Sequence, residues 1–244
     1  MPFSPKPRIN SSVRPCGVSR SQKIRLAGFD LIPDLSGALH VPEFRALLVA
    51  DLHLEKGTSL ARRGVHLPPY DTRESLRRLA GVIAVLMPKR LIFLGDSFHD
   101  GEARDRIDAA DLAALRAVSG GQETIWIAGN HDPAPPADIG GTIASEVALG
   151  PLTLRHAPQD LGPGQFEIAG HLHPAAALSQ RGRRIHCKCF IADGRRVVMP
   201  AFGSYTGALN ISAEPFAPLF QPGAYHVWML GGRAVHRFPA VRVR

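Results

Sequence analysis

Thr124-Ile125-Trp126-Ile127-Ala128-Gly129-Asn130-His131-Asp132 is an apolar, β-rich run that ends in an amide, an imidazole and a carboxylate. A strand ending this way puts metal-seeking and proton-carrying groups at the rim of a sheet. Three other stretches have the same form. Leu47-Leu48-Val49-Ala50 runs into Asp51-Leu52-His53, and Leu91-Ile92-Phe93-Leu94 runs into Gly95-Asp96, with His99 just beyond. Phe166-Glu167-Ile168-Ala169 runs into Gly170-His171-Leu172-His173, and His156 closes another apolar run, Leu152 to Arg155. The glycine before Asp96, Asn130 and His171 permits a tight turn where strand gives way to loop.

In extended backbone, residues two apart share a face. Asp51 with His53, and His171 with His173, are therefore each expected to present two ligand atoms together, with Leu52 and Leu172 turned into packing. The donor set is carboxylate, amide oxygen and imidazole, without thiolate. That chemistry suits Mn²⁺, Fe²⁺ or Zn²⁺. Two such ions about 3.5–4 Å apart form an arrangement used for in-line phosphoryl chemistry. The four stretches are read as converging on a two-metal phosphoesterase site.

The remaining sequence is consistent with one ordinary domain. Its 244 residues suffice for a full hydrophobic core, and a mean hydropathy of -0.02 fits a globular chain. No apolar run approaches the ~20 residues of a membrane span, so no membrane association is expected. Three cysteines, Cys16, Cys187 and Cys189, cannot build a disulfide framework and suggest a reducing, cytoplasmic setting. Net charge is +8, from 29 Lys+Arg against 21 Asp+Glu. Lys6, Arg8, Arg14, Arg20, Lys23 and Arg25 precede the first acid, Asp30. Without those six the chain has 23 basic against 21 acidic residues, or +2. A second basic cluster, Arg181, Arg183, Arg184, Lys188, Arg195 and Arg196, fits either a polyanionic substrate or a solvated hairpin.

Residues 1–23 are rich in Pro, Ser and Arg and read as a disordered basic tail, or as the product of an upstream start codon. Pro2, Pro5, Pro7 and Pro15 oppose the amphipathic helix of a transit peptide. Residues 24–244 read as the single domain. Strands are expected at Ile24–Phe29, Ala38–Val41, Phe44–Ala50, Arg90–Leu94 and Thr124–Ala128. Asp71 opens a helix, with Glu74 as its capping-box partner and Pro88 as its end. A second helix covers about Asp108 to Val118 and stops at Gly120-Gly121. This strand–helix–strand–helix–strand order favours parallel pairing. From Ile143 onward, runs at 145–149, 151–155, 165–169, 184–191, 195–199 and 224–238 make the second half mostly β. Cys187-Lys188-Cys189 lacks the spacing of a zinc site and is read as cysteines packed in or beside a strand. His186, His226 and His236 are read as structural.

Taken as a set, Asp51-Leu52-His53, Gly95-Asp96, Gly129-Asn130-His131-Asp132, His156 and Gly170-His171-Leu172-His173 resemble the five-block signature of calcineurin-like metallophosphoesterases. Asp51 to Gly57, Gly95 to Asp100 and Pro200-Ala201-Phe202-Gly203-Ser204-Tyr205-Thr206-Gly207 are similar to the PdeM subfamily of bacterial ligase-associated DNA damage response endonucleases. That resemblance covers roughly residues 25 to 212. It implies an α/β (α+β) fold, a four-layer α-β-β-α sandwich of two mixed sheets flanked by helices. It also implies that one metal is held by Asp51, His53 and His173 and the other by Asn130, His156 and His171, with Asp96 bridging. His131 would protonate the leaving oxygen or stabilise charge in the transition state. Asp132 is expected to orient His131 by accepting its other ring proton. His99 is expected either behind the metal ligands or near the substrate, and Arg62 and Arg63 near the substrate.

The implied activity is phosphodiester hydrolysis with two divalent ions, Mn²⁺ foremost, on DNA. The resemblance further implies association with an ATP-dependent DNA ligase, a helicase and an exonuclease. Two other classes compete: a phosphodiesterase or phosphatase for small nucleotides or phospho-metabolites, and a non-catalytic scaffold. A scaffold would be expected to have lost ligands or His131, and none is missing here.

Overall fold

The computed structural model describes residues 23–180 and 182–243. The expected basic tail, apart from Lys23, and Arg181 lie outside them. The first sheet has seven strands in chain order: β1 (Ile24–Leu26), β2 (Phe29–Pro33), β3 (Leu39–Val41), β4 (Ala46–Val49), β5 (Arg90–Leu94), β6 (Glu123–Ile127) and β7 (Thr142–Ala144). The first four are antiparallel; β4 to β7 run parallel. Helix α1 (Lys56–Arg62) and α2 (Asp71–Leu86) connect β4 to β5, and α3 (Ala103–Arg106) and α4 (Ala109–Gly120) connect β5 to β6. Strand β4 and all but the first residue of β5 are buried, with the helices on one face and the second sheet on the other.

After Ser145 the chain crosses to a second, nine-stranded sheet. Its members are β8 (Glu146–Leu149), β9 (Leu152–Arg155), β10 (Phe166–Ala169), β11 (Pro174–Gln180), β12 (Arg183–Ala192), β13 (Arg196–Val198), β14 (Leu209–Asn210), β15 (His226–Leu230) and β16 (Val235–Pro239). Strand β12 is ten residues long and serves two neighbourhoods: its first half pairs with β11, its second with β13 and β15.

The sheets pack face to face. Leu39, Leu48, Ile92 and Ile127 of the first meet Leu154, Ile168, Phe190 and Trp228 of the second in one buried cluster. The outer face of the first sheet, with Leu47, Leu91, Phe93 and Trp126, is covered by Leu76 and Leu79 of α2 and Leu115 and Val118 of α4. Phe93 and Trp126 stack at 3.9 Å between ring centroids. The outer face of the second sheet is covered by Ile211, Phe216 and Phe220, which lie on a loop and a 3-10 turn at Glu214–Phe216.

Several local expectations change. The strand expected over Ile24–Phe29 breaks at Ala27 and Gly28, both at positive φ, into the β1–β2 hairpin. The capping box at Asp71 does not form. Tyr70 is the N-cap without a side-chain bond, Asp71 instead accepts the Gly57 amide at 3.0 Å, and Glu74 pairs with Arg77. The second helix is capped as expected, by Asp108 accepting from the Ala110 amide at 2.7 Å. Elements α1, α3, β7, β11 and β14 are additions, each seven residues or shorter.

Candidate metal centre

The ligand-type side chains gather where strand ends of the two sheets meet. Asp51 and His53 follow β4, Asp96 follows β5 and Asn130 and His131 follow β6; His156 follows β9, and His171 and His173 follow β10. Backbone bonds hold the loops together: the amide of Asp51 donates to Gly95, that of His53 to Asp96 and that of Gly170 to His156.

Extended backbone does not account for the paired ligands. Asp51, His53, Asp96, His171 and His173 all have φ between 44° and 68°, the left-handed region that non-glycine residues seldom enter. Each costs of order 1–3 kcal/mol. Alternating left-handed residues after the strands therefore bring Asp51 with His53, and His171 with His173, into the site. Leu52 is buried against the helix side and Leu172 packs on the outer cluster of the second sheet, as expected.

Two groups of donors result. Asp51, His53 and His173 form one, and Asp96, His156 and His171 the other, with donor atoms in each within 4.8 Å of one another. Asn130 Oδ1 joins the second group at 2.9 Å from His156 Nε2. Asp96 faces both: Oδ2 lies 3.6 Å from His53 Nε2 and Oδ1 lies 3.5 Å from His156 Nε2. In the first group His173 Nε2 is 3.4 Å from Asp51 Oδ1.

The protonation pattern fits divalent cations. His156 Nδ1 is 2.9 Å from the Leu94 carbonyl, so Nδ1 carries the proton and the Nε2 lone pair faces the site. Nε2 then opposes Asn130 Oδ1 acceptor to acceptor, an arrangement that a cation reconciles. The buried Nε2 atoms of His53 and His173 have no hydrogen-bond partner among the described residues. Burial, reinforced by His173 and His131, pushes the His53 imidazole down to about 2. Burial and then Lys56 bring His99 to about 4. Both rings are thus neutral near pH 7, the form His53 must have to bind a metal.

His131 and Asp132 are arranged differently from expectation. His131 Nδ1 lies 2.7 Å from the His99 carbonyl, so that backbone oxygen orients the ring. The Asp132 carboxylate does not take the ring proton. Its Oδ2 accepts the amides of Ser97 and Phe98 at 2.8 and 3.0 Å, tying the third loop to the second. Burial raises its pKa to about 7. His99 Nδ1 lies 3.3 Å from His53 Nδ1, beside the first group. Arg62 is bound to Glu102, whereas Arg63 is exposed with no carboxylate partner among the described residues.

Lys188, read from the sequence only as one of a basic cluster on a solvated hairpin or against a polyanionic substrate, has instead a half-buried ammonium committed to the protein. Lys188 Nζ donates to the carbonyls of Ala201 (2.8 Å) and Gly203 (3.1 Å) and to Thr206 Oγ1 (2.7 Å). The loop it holds lies on the first ligand stretch: Phe202 N donates to Ala50 O and Gly203 N to Asp51 O. A Cβ at Gly203 would lie 2.0 Å from the Leu52 carbonyl oxygen. The available signal was alternation, since Lys188 sits between two inward cysteines and must face the other way.

A family model for the calcineurin-like phosphoesterase domain matches residues 44–179. The chain belongs to the calcineurin-like phosphoesterases. Among solved structures, Pseudomonas putida nuclease MPE is 30% identical, with 89% of this chain and 99% of that chain covered and a TM-score of 0.70. Yfce, a phosphoesterase from E. coli, is 14% identical over 79% of this chain and 97% of its own, at a TM-score of 0.41, too distant to inform the site. No curated protein sequence matches significantly. As a member of the calcineurin-like phosphoesterases the chain is a hydrolase, and its histidine and aspartate clusters fit the dinuclear divalent centre of such an enzyme.

Proposed function

We propose that this protein is a phosphodiesterase that cleaves DNA, acting as an endonuclease in ligation or repair, with two Mn²⁺ ions at the centre described above. The observation that carries the two-metal reading is the Asp96 carboxylate, which turns one oxygen toward each donor group. Asp51, His53 and His173 would hold one ion, and Asn130, His156 and His171 the other, with Asp96 shared. When bound, the ions supply the charge that activates a water near neutral pH and clamps the phosphate oxygens.

The chain's own residues do the remaining work. With its Nδ1 proton committed to the His99 carbonyl, His131 has Nε2 for handing a proton to the leaving oxygen. The Asp96 carboxylate accepts the His131 amide at 2.8 Å, so the shared ligand and the proton donor are positioned together. Asp132 acts through the loops by fixing Ser97 and Phe98. His99, 3.3 Å from His53 and close enough to feel the charge of Arg63, would with Arg63 meet the substrate phosphates. DNA as substrate draws on the relative's name, a nuclease, and on the chain's net charge of +8.

Turnover of bis(p-nitrophenyl) phosphate and of defined oligonucleotides, with Mn²⁺ exchanged for Fe²⁺ or Zn²⁺, tests this. Asp96→Asn is expected to lower metal content and abolish turnover. His131→Ala is expected to keep both metals while turnover falls ~10²–10⁴-fold. Wild-type activity in both variants would overturn the roles. Hydrolysis of small diesters without binding or cleavage of any oligonucleotide would move the substrate class to small nucleotides.

A further inference from the structure

The β11–β12 hairpin contains no acidic residue between Pro174 and Ala192, yet carries Arg183, Arg184, His186 and Lys188 among the described residues. Its register sorts these cations by face. Lys188 opposes Ala175, His186 opposes Ala177, and Arg184 opposes Ser179, so these six share one face. Arg183, Ile185 and Cys187 alternate onto the other, where Cys187 packs with Ala176 and Leu178 on the outer cluster of the second sheet.

The cationic face is continuous with the wall of the metal centre. Lys188 is its inner end, bonded to the loop that also binds the Asp51 backbone. From there His186 and Arg184 continue outward, both exposed. At ~3.3 Å per residue, Arg184 stands roughly 13 Å along the strand from Lys188. The inner end of this face is covered, with Ala175 and Ala177 buried, while Ser179, Arg184 and His186 are exposed, so the stripe opens toward the outer end of the hairpin. Elsewhere on the surface, Arg104, Arg106 and Arg116 are matched by carboxylates; Arg184 and His186 have no acidic partner among the described residues.

We propose that this face of the hairpin is an exosite that binds the sugar–phosphate backbone of a polynucleotide and leads it toward the metal centre, with Arg184 and His186 as its phosphate contacts. This rests on the DNA-cleaving reading above and adds to it a surface outside the chemistry. A solvated hairpin would carry the same charge without preferring one face. Arg183, one residue away on the opposite face, separates the two cases.

The test uses the full-length, Mn²⁺-loaded protein with a labelled oligonucleotide and with bis(p-nitrophenyl) phosphate. In Arg184→Glu/His186→Ala, oligonucleotide kcat/KM is expected to fall about ten-fold, mainly through KM, and the salt dependence of binding to flatten by ~1–2 in log–log slope. Small-diester turnover is expected to stay within about two-fold, since that substrate reaches the metals without crossing the hairpin. Arg184→Lys should recover most of the loss, and Arg183→Glu should change oligonucleotide cleavage less than about two-fold. Equal losses on both substrates, or equal effects of Arg183→Glu and Arg184→Glu, would overturn the exosite. Should the parent cleave the small diester but neither bind nor cut oligonucleotides, the DNA reading fails and the exosite with it; a parent that cuts DNA beside unaffected variants removes the exosite alone.

Discussion

At Gly129 a Cβ would lie 2.2 Å from both the Asp96 amide nitrogen and Asp96 Oδ1. The hydrogen at this position is therefore what lets the loop after β6 close on the Asp96 carboxylate, which faces both donor groups. Gly129→Ala must push Asp96 away from His53 and His156. It is expected to cut metal stoichiometry below two per chain and turnover at least ~10²-fold, because a displacement near 1 Å suffices for that loss; metal analysis with diester kinetics measures both. At this scale much was legible. That Asp51, His53, Asp96, Asn130, His156, His171 and His173 gather could be expected, because each stands at or just past the end of an apolar run and carries a metal-type side chain. Their backbone could not be, since left-handed φ at Asp51 and His173 is imposed by contacts from distant loops. Asp132 was misread for the same reason. Its partners, Ser97 and Phe98, are thirty-odd residues away and are backbone amides, which leave no mark on side-chain pattern.

Among elements, the loop of Pro200 to Thr206 depends on β12 through one side chain. Lys188→Met would leave the buried Ala201 carbonyl without its donor and the Gly203 carbonyl with Thr206 Oγ1 alone. An unsatisfied buried acceptor costs ~1–3 kcal/mol, so a loss of about 1–3 kcal/mol is expected from urea denaturation at pH 7. The variant also changes the pH profile. Burial lowers the Lys188 pKa from 10.5 to about 8. Between those values the unfolded chain binds more protons than the folded one, so the native protein gains stability relative to Lys188→Met as pH rises from 8 toward 10. A constant difference across that range would show that the ammonium is not buried as described. The long helices and the parallel strands were legible from periodicity and stop signals. Helix α1 was not, because Gly57, Thr58 and Ser59 are weak helix formers. Its start is held from outside, by Asp71 on the Gly57 amide and by Glu55 bonded to Thr72 and Thr58.

Across the whole molecule, the donor groups are divided between the sheets. Asp51, His53, Asp96 and Asn130 come from the first, and His156, His171 and His173 from the second. Bound ions would therefore link the halves of the sandwich as well as act on substrate. A ligand that binds only the folded state stabilises it by ~2.7 kcal/mol at a concentration of 100 Kd, which corresponds to ~5–10 °C in Tm for a chain of this length. Chelation is expected to lower Tm by at least that amount, and Asp96→Asn should blunt the response. The chelated protein should also be acid-sensitive. His53, His99 and His171 are all held below the ordinary 6.5, burial being the largest cause for each. As pH falls through 6.5 the unfolded chain takes up protons that these folded imidazoles refuse, so stability present above 6.5 is progressively lost. Thermal melts in chelator at pH 7.5, 6.5 and 5.5 measure the slope. His99→Gln should make it shallower, because one depressed imidazole is gone while Asp51, His53 and His173 remain in place. A Tm that is flat from pH 7.5 to 5.5 would mean that the histidines sit in solvent rather than in a closed cage between the sheets.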